Sequence, residues 1–325
     1  MNIFQPVQAT IVEIEIKAKE KAAFTRFWQE TDNNFDPPRT IEHSKREKFG
    51  RLIYHYKQPI FPIPNGQLMP GTYNIDFQFI LPTGLPSSIY YKDKRTREHP
   101  KAKIKYWVKA KVIGRSRSDE MKHKQIIAIR EPPVQFKMNE QQGEVANLKT
   151  WCCIDQGTSH MWVNYEKNIY TPQEVCRAFI NIDNSNCTLN CTQVKFWLEQ
   201  RLTLHSRGFG NHSHTMVKKL TGSEKPGPNF GQKEYQTEMY VDLNKIIMEN
   251  IPEFKKKKGV EVRLSPEDAF MMKCVQPATH SRHITNEYFL KIECTYEGCT
   301  CCSNVPDTSM PMTIVPIVNP ACIGF

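Results

Sequence analysis

Five lysines in the run KAKIKYWVKAKVIG, residues 101–114, fall on positions of one parity: Lys101, Lys103, Lys105, Lys109 and Lys111. Ammonium groups bind phosphate oxygens through charge-assisted hydrogen bonds, and same-face residues of a strand lie about 6.6 Å apart. A row of this kind suits a ligand bearing several negative charges. Ala102, Ile104, Tyr106, Val108, Ala110 and Val112 take the other parity, so the run reads as one strand with an apolar face and an exposed cationic face. Trp107 interrupts the cationic row. Between Lys92 and Lys124 there are 13 Lys and Arg against 4 Asp and Glu, a local net of +9 in a chain whose total is +10. Such density points to an anionic partner: phosphorylated protein tails, anionic lipid headgroups or nucleic acid. A solvated basic surface without a ligand is the alternative.

Other chemistry is thinly supported. All 11 cysteines lie at or after Cys152, and Cys294, Cys299, Cys301 and Cys302 cluster near the C-terminus, as do Cys187 and Cys191 further upstream. Structural zinc sites use two separated short Cys pairs. The spacing here is irregular, so these residues are weak metal candidates and reduced thiols are the expectation. His205, His212 and His214, and then His280 and His283, sit beside Gly, Ser, Thr or Arg and read as surface-loop residues. There is no Gly-rich phosphate loop, no G-x-S-x-G elbow and no H-E-x-x-H helix. Neither an enzyme nor a cofactor is expected. The N-terminus lacks a basic and then apolar leader, and no apolar run approaches the roughly 18 residues of a membrane span, so a cytosolic chain is the default. The sequons at Asn186, Asn190 and Asn211 are then unused.

The elements that must position the lysines are strands. In ATIVEIEIKAKEK, Thr10, Val12, Ile14, Ile16 and Ala18 alternate with Glu13, Glu15, Lys17, Lys19 and Lys21. TDNNFDPPRT reads as a polar loop, FGRLIYHYKQPIF as a strand, and TYNIDFQFIL as a strand with Tyr73, Ile75, Phe77, Phe79 and Leu81 inward. After a short strand KHKQIIAI, residues 131–149 are polar, contain Pro132–Pro133 and read as a linker. Strand patterns resume in KTWCCIDQG, SHMWVNYEK, EVCRAFINIDN, CTQVKFWLEQRLTL, NEYFLKIECTY and MPMTIVPIV. TGSEKPGPNFG and the lysines at 255–258 read as loops, and SPEDAFMMKC as one helical turn. Many short alternating strands split by turn residues predict an all-β chain, and 325 residues suffice for two β-sandwiches.

The segment MPGTYNIDFQFILPTGLPSSIYYKDKRTREHPKAKIKYWVKAKVIG resembles the signature of the arrestin family, especially its arrestin-domain (α-arrestin) members. Gly71, Phe77, Phe79, Leu81, Pro82, Leu85, Pro86, Ser87, Ser88, Ile104, Tyr106, Val108 and Ala110 match in order. KNIYTPQEVCRAFINIDN, VQPATHSRHITNEYFLKIECTY and MPMTIVPI are similar to strands of the family's C-terminal domain. The resemblance implies two immunoglobulin-like sandwiches joined by a short linker, here residues 1–134 and 135–325. It also implies a non-catalytic adaptor that binds cytoplasmic, often phosphorylated, parts of membrane receptors or transporters. Such adaptors lie peripherally at the plasma membrane or endosomes and couple cargo to trafficking or signalling machinery. The lysine face would then receive phosphate, on a protein tail or on an anionic phospholipid. Two departures are expected to matter. The chain starts at what resembles an interior part of the N-terminal domain, without the opening strands, and no Pro-Pro-x-Tyr is present. A retromer-type coat subunit of the same fold is a close alternative. A nucleic-acid-binding β protein that stacks bases on Trp107 is a more distant one.

Overall fold

Alternation along the chain is read out almost everywhere as β-structure. The structure, a computed structural model, describes residues 1–35, 37–116, 120–151, 153–206, 211–246, 275–300 and 305–315, and the backbone of 254–257 and 260–263. Among these residues there is no α-helix, and no helix long and apolar enough to cross a membrane.

The N-terminal strands are β1 (Asn2–Ile3), β2 (Val7–Asp32), β3 (Arg39–Pro62), β4 (Gln67–Leu68), β5 (Gly71–Thr72), β6 (Ile89–Lys92), β7 (Lys101–Gly114) and β8 (Met121–Ile127). One six-stranded antiparallel sheet dominates, in the order β3-β2-β7-β6, with β4 also on β2 and β8 also on β7. β2 and β3 form a long hairpin, so most of the predicted TDNNFDPPRT loop is a short turn. Apolar residues of even parity on β2 and β7 (Ile14, Ile16, Ala18, Ala102, Ile104, Tyr106) are buried.

The aromatic segment departs from expectation. Residues 73–82 run without a turn and pair with no strand among the described residues. Tyr73 and Ile75 pack on a small cluster with Ile3, Val12, Leu68 and Val112, whereas Phe77 is 45% exposed. Inward parity alone does not bury a side chain; burial also needs a facing layer contributed by residues far away in the chain.

The C-terminal strands are β9 (Met138–Thr150), β10 (Ile154–Lys167), β11 (Ile169–Tyr170), β12 (Val175–Asp183), β13 (Cys191–His205), β14 (Ser213–Lys225), β15 (Tyr235–Asp242), β16 (Phe254–Lys257), β17 (Val260–Arg263), β18 (Thr279–His280), β19 (Ile284–Tyr296) and β20 (Asp307–Ile314). The sheet β15-β12-β10-β9 packs on β11-β20-β19-β13-β14, and β18 pairs with β19. Met161, Tyr165, Ile180 and Met239 from the first sheet meet Phe196, Leu198, Leu290, Ile292 and Met310 from the second. This is a two-layer sandwich with one continuous core.

Much of the expected linker at 131–149 is strand β9. Its inward positions include Glu140, Gln142 and Glu144, which hid the apolar period. Two of these polar groups are satisfied by β20: Asp307 N–H donates to Glu144 at 2.8 Å, and Gln142 Nε2 donates to the Ser309 carbonyl at 3.4 Å. Likewise TGSEK completes β14 rather than opening a loop, and Lys255–Lys257 lie in a two-stranded hairpin with β17. Lys258 and the SPEDAFMMKC turn lie outside the described residues.

Candidate anion-binding face

Strand register arranges the odd-parity face of the N-terminal sheet into rows. From one end they read Lys48–Ala23–Lys101–Lys92, Gly50–Lys21–Lys103–Tyr90 and Leu52–Lys19–Lys105. The rows continue as His55–Lys17–Trp107–Ile126, Lys57–Glu15–Lys109–Lys124 and Pro59–Glu13–Lys111–Lys122. The structure therefore brings all five predicted lysines together and adds Lys17, Lys19, Lys21, Lys122 and Lys124 from neighbouring strands. Like charges directly opposite one another destabilise a sheet. Lys21 faces Lys103, Lys19 faces Lys105, and Lys109 faces Lys124.

The face divides into two zones. Glu15 is a hub for one: Lys111 Nζ lies at 3.2 Å, Lys17 Nζ at 3.3 Å and His55 Nε2 at 2.9 Å. Burial pushes its carboxyl up, but the hydrogen bonds from Lys111, Lys17 and His55 and the Lys111 charge outweigh this and hold it at about 2. Glu13 pairs with Lys57 at 2.5 Å. Lys109 and Lys111 thus sit in rows that contain a carboxylate. The other zone, around Lys19, Lys21, Lys101, Lys103 and Lys105, has no carboxylate in its rows, and Arg46 and Lys48 flank it. A cavity of about 780 Å³ opens there, lined by Lys17, Lys19, Lys21, Arg46, Lys48 and Lys101 among others. Burial, followed by the Lys21 and Arg46 charges, pulls the Lys101 ammonium below its ordinary value. Burial together with Lys109 and Lys19 does the same to Lys124, and burial with Lys94 and Lys101 to Lys92.

The row is not the open surface that parity suggested. Lys101, Lys103, Lys105, Lys109 and Lys111 are all half-buried. Their stems lie along neighbouring side chains, with Lys103 Nζ 4.4 Å and Lys105 Nζ 5.6 Å from the Tyr90 ring centre. Trp107 is covered by the Lys124 ammonium at 4.1 Å. Gly50 on β3 permits the close approach of strands here: a Cβ would meet the Glu20 carbonyl at 2.5 Å.

A family model described as "Arrestin (or S-antigen), C-terminal domain" matches residues 155–319, from the start of β10 to beyond β20. The chain belongs to the arrestin family. It is 27% identical over 145 residues to Arrestin domain-containing protein 5 of Bos taurus, covering 43% of this chain and 41% of that protein. It is 28% identical over 142 residues to the Homo sapiens protein of the same name, covering 41% and 38% respectively. The chain therefore spans well under half the length of these relatives.

Residues of the segment that resembles the arrestin signature fasten the two halves together. Ser87 and Ser88 are buried, and the Ser87 hydroxyl donates to the Ala278 carbonyl at 2.9 Å. Glu131 accepts from Ser87 N–H at 3.1 Å, Thr279 Oγ1 at 2.6 Å and His280 N–H at 2.8 Å. Tyr106 donates to the Pro86 carbonyl at 2.7 Å, and Gln276 accepts from Tyr90 N–H at 2.7 Å. Leu81 and Leu85 are half-buried, while Gly71 and Pro82 are exposed.

Sequence reasoning missed Glu20. It is 1% exposed on the apolar face of β2, between Ala18 and Ala22. It accepts from Arg51 Nε at 2.8 Å, from His283 N–H at 2.9 Å and from the Ser281 hydroxyl. The signal was a lone carboxylate at core parity.

The histidine expectation is corrected in part. His205 ends β13 and His214 lies within β14, stacked on Phe24. His283 is buried against Phe49, with Nδ1 2.9 Å from the His205 carbonyl. Cys294 is buried with its Sγ 3.6 Å from Met161 Sδ, Cys299 is half-buried, and Cys301 and Cys302 lie outside the described residues. Among the described residues no group of three or more His, Cys, Asp or Glu is placed to hold a metal ion.

Proposed function

We propose that this arrestin-family chain is a non-catalytic adaptor whose N-terminal sheet receives phosphate groups on cytoplasmic segments of membrane proteins. In this reading it links them to trafficking or signalling machinery from a peripheral position on the cytoplasmic side of the membrane. One observation carries the reading: Lys21 stands opposite Lys103 and Lys19 opposite Lys105 across β2 and β7, beside a cavity of about 780 Å³, and like charges directly opposite one another are destabilising in a sheet. Family membership supports the adaptor role.

The zone around Lys19, Lys21, Lys101, Lys103 and Lys105 is the primary phosphate site, because Glu13 and Glu15 compete for the lysines of the other zone. Titration of a multiply phosphorylated peptide against its unphosphorylated twin, by fluorescence anisotropy, tests this. Lys103→Glu with Lys105→Glu is expected to abolish phosphate-dependent capture. Lys109→Glu with Lys111→Glu is expected to weaken it less. Capture should also strengthen as pH rises from 5 to 7, because the phosphate's second proton leaves near pH 6. Equal capture of both peptides sinks the proposal, and so does binding only to vesicles containing phosphatidylserine or only to single-stranded RNA.

A further inference from the structure

The outer face of the sheet β15-β12-β10-β9 carries a cavity of about 740 Å³, within the range of ligand pockets. Register builds its floor from two rows, Gly143–Trp162–Asn181–Gln236 and Gln141–Asn164–Phe179–Glu238. At the centre Trp162 is therefore diagonal to Phe179, and Asn164 is diagonal to Asn181. Both rings are open, Trp162 at 48% and Phe179 at 51% exposure. Gly143 lets the indole settle beside β9, since a Cβ there would lie 3.0 Å from Trp162 Cδ1.

The polar side chains of this floor are idle. Among the described residues Gln141, Trp162, Asn164, Asn181 and Gln236 make no side-chain hydrogen bond with the protein, and the Oδ1 atoms of Asn164 and Asn181 are enclosed as well. Elsewhere in the sandwich the carboxamides of Asn168, Asn184, Asn190, Gln200 and Asn286 are all engaged. Enclosed polar groups are normally satisfied, and an unpaired one costs stability. A carboxamide sets an acceptor beside a donor. It can pair with the N–H and C=O of one residue of an extended chain, which point the same way, as they do between antiparallel strands. Alternate residues of such a chain present that pair about 6.6 Å apart, close to the roughly 7–8 Å between diagonal neighbours on a sheet. A chain laid along the Asn164–Asn181 diagonal runs between the two rings. Glu238 is the one charged residue in the lining, so no Lys or Arg there offers a counter-charge to phosphate or nucleic acid.

We propose that this face binds an extended, uncharged peptide segment of another protein. Asn164 and Asn181 hold its backbone, and Trp162 and Phe179 flank it and pack against its side chains. The site is separate from the lysine zone and independent of phosphate.

The probe is a library of end-capped nonapeptides made only of uncharged residues, selected on the immobilised whole chain; the best member is then titrated by fluorescence anisotropy. Asn164→Leu and Asn181→Leu are each expected to weaken binding about tenfold, the worth of two ordinary hydrogen bonds. Neither should lower the melting temperature, because neither removes a hydrogen bond within the protein. Backbone N-methylation of the selected peptide, scanned residue by residue, should weaken binding at two positions two residues apart, and this arm needs no variant of the protein. Lys103→Glu with Lys105→Glu, or salt raised from about 50 to about 500 mM, should leave binding unchanged. The proposal is overturned if no library member is held, if both leucine variants bind like the wild type, or if N-methylation has no effect at any position. Salt-sensitive binding also overturns it, as does a preference for maltopentaose or single-stranded RNA over every peptide.

Discussion

Among the described residues the C-terminal strands bury a continuous core between two sheets, whereas the N-terminal strands form one six-stranded sheet and the short β1–β5 pair. The N-terminal apolar residues split into two smaller clusters, and one of them borrows Leu202, Leu204 and Ile284 from the other half. Stability is therefore not shared evenly. The C-terminal sandwich is self-sufficient in its packing, and the N-terminal sheet leans on its tip through apolar contacts and the Glu20 and Glu131 clasps. The difference also falls on charge. The C-terminal sheet presents a second cavity, of about 740 Å³, lined by Trp162, Phe179, Asn164, Asn181 and Gln236, in which amides and aromatics replace the lysines of the N-terminal one.

Three perturbations test this contrast. The largest is Phe196→Ala, which empties the centre of the sandwich core and is expected to cost about 3–5 kcal/mol in urea unfolding. Because the N-terminal cluster borrows from β13 and β19, both halves should lose structure together; a native N-terminal sheet above an unfolded sandwich would break the dependence. Next is Glu20→Gln, which keeps the shape but removes the charge accepting from Arg51, Ser281 and His283. A loss of about 1–3 kcal/mol is expected. The unfolding transition should also broaden or split as the N-terminal sheet uncouples, and an unchanged, single sharp transition would show that apolar contacts alone hold the halves. The smallest effect is acid stability at Glu15. Its folded carboxyl lies at about 2 against an ordinary 4.5, so its contribution is present above pH 4.5 and disappears as pH falls toward 2. Glu15→Gln should flatten the stability profile across that window, and an identical slope in the variant would remove Glu15 from the account.

Period-two alternation made β2, β7, β13 and β19 legible, because a buried face beside a polar one leaves a mark on every second residue. It failed at β9, where inward Glu140, Gln142 and Glu144 meet backbone groups and side chains rather than an apolar core. The run of four lysines at 255–258 suggested a loop, but Lys255–Lys257 pair with Val260, Glu261 and Val262 in a strand. Glu20 was visible as a parity error on β2, but two of its partners, Ser281 and His283, lie some 260 residues away in sequence.

The amino-acid order alone settled the all-β class, the family and the parity of the lysine strand, since each is encoded in neighbouring residues. Only the tertiary structure decided which strands flank β7, and hence that Lys103 and Lys105 meet Lys21 and Lys19 while Glu13 and Glu15 occupy the other zone. It also decided that Phe77, alternating like a core residue, stands half open. Register and layer closure depend on contacts between residues far apart in the chain, and local periodicity carries no record of them.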